Sequence, residues 1–340
     1  MERCRIFYKF SINIIVFLCL LVASDGQDSS QMAPEGGFLK REYSLTKPYS
    51  SNGMTMPFWD FRDRTMLTNN FIRLTSNHQA EVGSVWNKIP LYLRDWEMQV
   101  QFKVHGGGRT LGADGFAIWY TKERMTPGPV FGSRDEFHGL GVFFDTYKNG
   151  PQAVTFPQIT AMVGNGSVKY DHMTDGKSNA IGSCLASFRN KDYDTLVSIK
   201  YVKETLQIRL DIDGLGEWRE CFSMPGVKLP TGYFIGMSAA TGDLADNHDL
   251  INVKFFHMDA GRSAEEEAED WSTVLPGVSY LKPPIDNRDD VGSGDFRNSS
   301  VSGFKLFLLV VCILLGVGVC AVVGVVVFQK RQAQNRKRFY

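Results

Sequence analysis

Asp145-Thr146-Tyr147-Lys148-Asn149 follows directly on the apolar run Leu140-Gly141-Val142-Phe143-Phe144. A carboxylate, a backbone carbonyl and a carboxamide therefore leave a buried strand at alternate positions. All three are hard oxygen ligands, and hard oxygens at irregular loop geometry suit Ca²⁺. The NH₂ of Asn149 remains as a donor that could hold a polar ligand beside the ion. The pattern points to a metal-organised site for a hydroxyl-rich molecule such as a sugar.

The elements that must carry this loop are strands. Trp96, Met98, Val100, Phe102 and Val104 alternate with Glu97, Gln99, Gln101 and Lys103, a period of two. Leu206, Ile208, Leu210 and Ile212 alternate with polar residues in the same way. Shorter apolar runs, Phe116 to Tyr120, Leu140 to Phe144, Ile159 to Val163 and Tyr233 to Met237, read as central strands. Turn chemistry separates them at Gly106-Gly107-Gly108, Pro127-Gly128-Pro129, Asn165-Gly166 and Asp213-Gly214. No amphipathic helix is evident from Phe38 to His257, so the expected fold is all-β, a two-sheet antiparallel sandwich.

The 340-residue chain divides further at its ends. Residues 1–24 read as a secretory signal peptide: Arg3, Arg5 and Lys9, then Phe10 to Val22, then Ala23 and Ser24. Leu306 to Phe328 carries no charge and is long enough to span a bilayer. Lys330, Arg331, Arg336, Lys337 and Arg338 follow it, which places the tail in the cytoplasm. The expected order is signal 1–24, folded domain 37–262, lumenal stalk 263–303, transmembrane helix 304–328 and cytoplasmic tail 329–340. That order reads as a single-pass type I membrane protein. The net charge of zero hides a lumenal part at roughly −7, which gives no electrostatic reason to expect nucleic acid. Of six cysteines only Cys184 and Cys221 fall in the lumenal part, so a disulfide between them is the economical reading. Its loop of about 38 residues would stabilise the fold by roughly 4 kcal/mol in the chain-entropy model. Asn165-Gly166-Ser167 is a glycosylation sequon on an expected turn.

Further motifs occur in order with the Asp145–Asn149 loop. Ala113-Asp114-Gly115 lies upstream and Thr241-Gly242-Asp243-Leu244 downstream. With these the chain resembles the legume-type lectins. Trp59-Asp60-Phe61, Gly83-Ser84-Val85-Trp86, Pro127-Gly128-Pro129-Val130-Phe131-Gly132 and Asp246-Asn247-His248-Asp249 are similar to their animal cargo-receptor branch. The resemblance implies a jelly-roll sandwich with Asp145, Asn149, Asp175 and the Tyr147 carbonyl as calcium ligands. It also implies that Asp114 accepts from two sugar hydroxyls and Asn149 donates, while Gly242, Asp243 and Leu244 close the site and His172 contacts the sugar. The Ala113-Asp114 peptide is cis in the family. Two departures stand out. Phe143 occupies the position of a transition-metal-binding Glu in plant relatives, so calcium without a transition metal is expected. Ala80 replaces a Ser near the sugar.

The implied function is calcium-dependent binding of high-mannose N-glycans on glycoprotein cargo and sorting of that cargo between ER and Golgi. The tail residues Lys337, Arg338, Phe339 and Tyr340 resemble retrieval and export signals read by coat proteins. The expected location is ER, ER–Golgi intermediate compartment and Golgi membranes. An alternative is a cell-surface adhesion module of the same fold that binds protein. An enzyme is not expected: glycoside hydrolases need paired carboxylates across a cleft, and Asp211 and Asp213, the nearest approach, flank a glycine turn.

Overall fold

The alternating run at Trp96 becomes the ten-residue strand Trp96–His105, with Trp96, Met98, Val100, Phe102 and Val104 in the main core. The computed structural model describes residues 33–50, 56–108, 112–150, 157–279 and the strand Asp286–Val291. The signal segment, the span at 304–328 and the tail lie outside these residues. Among the described residues, no helix is long and apolar enough to cross a membrane.

Two eight-stranded sheets pack face to face. The first runs Arg219–Pro225, Thr205–Asp211, Thr195–Val202, Trp96–His105, Asn247–Met258, Ile72–Thr75, Met66–Leu67, and Gly37–Leu39 also pairs with Asn247–Met258. The second runs Asp286–Val291, Gly182–Ala186, Gln158–Asn165, His138–Asp145, Gly115–Thr121, Phe234–Ala240, Val82–Asn87, Trp59–Asp63. Neighbours pair antiparallel except Gly182–Ala186 with Asp286–Val291. The all-β sandwich is as the strand periodicity implies. Among its described residues, helical structure takes the form of single 3₁₀ turns such as His172–Thr174 and Lys177–Asn179.

The central strands of the second sheet are apolar on both faces for a visible reason. Phe116, Ile118 and Tyr120 face the first sheet, where Phe116 stacks on Phe144 at 4.3 Å between ring centroids. Ala117, Trp119 and Phe143 face the other way, into a second cluster with Val130, Phe131, Phe137 and Tyr170 from covering loops. Phe143 is fully buried there, 4.9 Å from the Tyr170 ring and 5.5 Å from Trp119. Truncating Phe144, which precedes Asp145 and packs on Phe102, Phe116 and Phe188, would cost about 3–5 kcal/mol.

Cys184 and Cys221 form a disulfide that joins an outer strand of each sheet. The segment after residue 262 is not wholly a free stalk. Ser263 caps the short helix Ala264–Ala268, here α1, through a capping box with Glu266. Trp271 is buried beneath the Arg94 guanidinium at 4.2 Å, and Gly277–Val278 pairs with Val227–Lys228. A buried aromatic with a cation on its face outweighs the acidic, turn-rich composition that suggests a linker.

Candidate calcium and ligand site

Three adjacent strands of the second sheet, Phe234–Ala240, Gly115–Thr121 and His138–Asp145, end together and place the motif residues. Register pairs Ala240 with Gly115 and Gly115 with Asp145, so Asp114 enters between the two outgoing loops. Its backbone is held on both sides: Asp114 N–H donates to the Ala240 carbonyl at 3.1 Å, and Thr146 N–H donates to the Asp114 carbonyl at 3.0 Å. The Ala113-Asp114 peptide is cis, as the resemblance implies.

Asp145 is 3 % and Asp175 6 % exposed. Tyr147 N–H donates to Asp145 Oδ1 at 2.9 Å, closing the Asp145–Tyr147 turn around the carboxylate. Asp175 arrives from a different loop. The turn His172–Thr174 is capped by Asp171 and ends at Asp175 in the left-handed region, φ 52°. Gln158 Nε2 fixes the Asp175 carbonyl at 3.1 Å. Asn149 then donates its backbone N–H and its Nδ2 to Asp175 Oδ1, at 3.1 and 3.0 Å. The amide donor that the sequence leaves spare is thus engaged, because a carboxylate binds the nearest N–H groups strongly.

The electrostatics of this cluster are one-sided. Burial pushes the Asp145 carboxyl well above the usual range, and the neighbouring Asp175 and Asp114 push it further, against the Tyr147 N–H. Burial also raises Asp114, with His172 drawing it down and Asp243 raising it. None of the ion pairs among the described residues involves Asp114, Asp145, Asp175 or Asp243. Carboxylates buried together without a protein cation suit a bound cation. Two carboxylates, the carboxamide oxygen of Asn149 and a main-chain carbonyl make an all-oxygen set of the kind Ca²⁺ takes. No group of three or more His, Cys, Asp or Glu side chains suited to a metal occurs among the described residues. A set with only two carboxylates does not form such a group.

Beside this cluster lies Gly242. A Cβ there would sit 3.2 and 3.4 Å from the two carboxylate oxygens of Asp114. Asp243 is exposed and Leu244 half-buried, while His172 is exposed with its ring 4.9 Å from Tyr170. Asp114, Asp145, Tyr147, Asn149, His172, Asp175 and Gly242 to Leu244 are therefore brought to one end of the second sheet. Asn165 is exposed at the end of its strand, where its Oδ1 accepts from the Ser167 N–H and hydroxyl.

Other contributors carry no signal in the sequence, apart from Ala80, which the resemblance places near the sugar. Gln79 Nε2 donates to the Asp243 carbonyl at 2.6 Å, and Ala80 N–H donates to the Gly242 carbonyl at 3.2 Å. Thr241 Oγ1 donates to the His78 carbonyl at 2.7 Å, so the 76–81 loop backs the Gly242 loop. Ala80 itself sits at φ 54°. The Asp211 and Asp213 pair belongs to a hairpin of the first sheet, where burial and Asp213 push Asp211 up to about 6. Arg219 pairs with Asp213 at 2.7 Å, so a cation already faces this corner of the hairpin.

A model of the legume-like lectin family matches residues 37–265. The chain belongs to this family. Mouse vesicular integral-membrane protein VIP36 is 52 % identical over 305 residues, covering 89 % of this chain and 85 % of that protein. Human VIP36-like protein is 46 % identical over 331 residues, covering 96 % and 93 %. Crystal structures of the VIP36 exoplasmic/lumenal domain match throughout the fold of this legume-like lectin. The Ca²⁺/Man2-bound form has TM-score 0.69 and 48 % identity, over 72 % of this chain and 99 % of that one. The metal-free form has TM-score 0.67 and 47 % identity, over 72 % and 100 %.

Proposed function

We propose that this protein is a calcium-dependent lectin that binds high-mannose N-glycans and carries the glycoproteins bearing them within the early secretory pathway. One observation carries the reading: buried Asp145 and Asp175 interact with no protein cation, at the end of a sheet where Asp114 and Gly242 also converge. The relatives support it, since VIP36 lumenal domains occur in Ca²⁺-, mannose- and Man2-bound forms.

Asp145, Asp175, the Asn149 carboxamide oxygen and the Tyr147 carbonyl would hold Ca²⁺, which would supply charge balance and rigidity to the two loops. The chain's own groups then read the sugar. Asp114 accepts from two adjacent hydroxyls, because a half-buried carboxylate has lone pairs at fixed angles for both. Asn149 gives one Nδ2 hydrogen to Asp175 and keeps the second for a sugar hydroxyl. Gly242 lets the backbone amides of Asp243 and Leu244 approach, and His172 borders the opening.

The finer parts of the reading concern topology and traffic. A signal at 1–24, a lumenal lectin domain, a span at 304–328 and a tail at 329–340 make a type I protein cycling between ER and Golgi membranes. The tail residues Lys337, Arg338, Phe339 and Tyr340 would engage coat proteins, and Asn165 would carry an N-glycan. An array of N-glycans probed with the full chain in detergent tests the central part. High-mannose glycans should be retained with calcium and released by chelator. Retention of complex or sialylated glycans in preference to high-mannose ones would overturn it.

A further inference from the structure

Asp246 is fully buried and holds Arg189, whose side chain is 7 % exposed, through two hydrogen bonds of 2.7 Å from Nε and Nη2. Neither residue reaches the site described above, yet the pair touches the backbone that leads into it on both sides. On one side is the glycine-rich connection before Asp114. A Cβ at Gly106 would lie 2.1 Å from Asp246 Oδ1. One at Gly112 would lie 2.1 Å from Asp246 Oδ2 and 2.2 Å from Arg189 Nε. No side chain tolerates such distances, so both glycines exist here to let the main chain lie against the ion pair. The third Arg189 nitrogen, Nη1, donates to the Gly108 carbonyl at 2.6 Å. Asn190 completes the clasp: its Nδ2 donates to the same carbonyl at 3.2 Å, and its Oδ1 accepts from Gly106 N–H at 3.0 Å.

On the other side, Asp246 follows Gly242, Asp243 and Leu244 by two residues at the start of Asn247–Met258. Asn247 Oδ1 accepts from Asn77 N–H at 3.0 Å, which ties the same corner to the 76–81 loop. One buried ion pair therefore fixes the approach to Asp114 and the exit from the Gly242 loop together. The calcium-ligand loops at 145–149 and 171–176 make no hydrogen bond to it among those found in the described residues.

We propose that Arg189 and Asp246, with Asn190, are positioning residues for the sugar-accepting carboxylate, setting Asp114 relative to the Gly242–Leu244 loop independently of calcium binding. The proposal rests on the glycan reading above. It separates two properties that a merely structural ion pair would lower together. Loss of the clasp should weaken sugar binding while calcium affinity stays as it was.

The test uses the full chain in detergent, wild type beside Arg189→Lys and Asn190→Gly. Arg189→Lys keeps the charge opposite Asp246 but cannot span the carboxylate and the Gly108 carbonyl together. Asn190→Gly removes only the asparagine's share of the clasp, at a position whose φ of 54° glycine accepts, so this variant keeps the fold even if the lysine variant does not. Calcium affinity, mannose affinity at saturating calcium, and hydrogen exchange of the 112–116 and 145–149 segments are measured. Mannose binding should weaken about tenfold in Arg189→Lys, which loses hydrogen bonds from a charged group, and about threefold in Asn190→Gly, which loses only neutral ones. Calcium affinity should be unchanged, and exchange should quicken at 112–116 alone. Unchanged mannose affinity, or calcium and mannose affinity falling in proportion, would overturn the proposal. Wild-type chain that binds calcium but no mannose would instead remove the glycan reading on which it rests.

Discussion

Asn149 gives both its backbone N–H and its side-chain N–H to one oxygen of Asp175, at 3.1 and 3.0 Å. Two loops 26 residues apart in sequence are thereby joined at the carboxylate that must balance a metal's charge. The calcium loop is a two-loop structure before any ion is considered.

Asn149→Ala removes one oxygen ligand and one donor to Asp175 together. Calcium affinity should fall by about ten- to a hundredfold, as expected for losing contacts to a charged group. Calorimetric titration of calcium checks this, and a change under twofold would count against Asn149 as a ligand.

Gly242→Ala probes the sugar side alone. The added methyl carbon would meet Asp114 Oδ1 at 3.2 Å, a contact tight enough that the carboxylate must shift by a few tenths of an ångström from its place over the sugar. Mannose affinity at saturating calcium should drop about tenfold, on the scale of one lost charged hydrogen bond, with calcium affinity unaffected. Equal loss of both would place Gly242 with the metal loops instead.

The raised Asp145 carboxyl sets a pH dependence with a definite sign. Its folded-state pKa lies above the unfolded value, so the calcium-free fold binds this proton more tightly than the unfolded chain does. The calcium-free domain therefore loses stability from this group as pH rises from the unfolded value through the folded one. Calcium binding needs the proton gone, so calcium affinity should weaken as pH falls through the raised value. Thermal melts should show calcium protecting more at pH 7.5 than at pH 5. The same calcium-induced shift at both would sink this assignment.

His248 supplies a second, calcium-independent acid effect. It is fully buried, with Nδ1 2.7 Å from Thr75 Oγ1, and burial pulls its pKa down to about 3. Between that value and an unfolded histidine near ~6.5, the unfolded chain binds more protons. Stability from this group is complete above the unfolded pKa and lost as pH falls below it, levelling off near 3. Denaturant unfolding from pH 8 to 4, at saturating calcium, should show this slope in wild type and lack it in His248→Gln. A parallel slope in both would assign the acid sensitivity elsewhere.

The strands and the metal loop were legible because each is a local pattern. Alternation over Trp96 to Val104 marks a face, and Asp145 ends an apolar strand with Asn149 four residues on in the loop that leaves it. The apolar run at Phe116 to Tyr120 also carries its burial on both faces, though not what covers it. What covers it is Phe131 and Phe137 from the connection that follows it and Tyr170 from a later loop, and loop packing has no periodicity to read. Asp175 and His172 entered through family resemblance, since nothing in their own segment distinguishes them from a polar turn. Gln79, Arg189 and Asn190 were not legible at all. Their roles depend on which loops the sheet order places side by side, and that order joins residues from 57 to 164 positions apart. The packing of Trp271 on Arg94 was hidden in the same way behind the acidic run at Glu265 to Glu269.

The central claim is that two buried carboxylates and the loops around them make sugar recognition conditional on calcium. Titration of a high-mannose glycan into the full chain, with calcium and then with excess chelator, tests it most directly. Saturable binding with calcium that disappears on chelation and returns when calcium is restored is the expected result. Glycan binding of equal affinity in chelator would contradict the account.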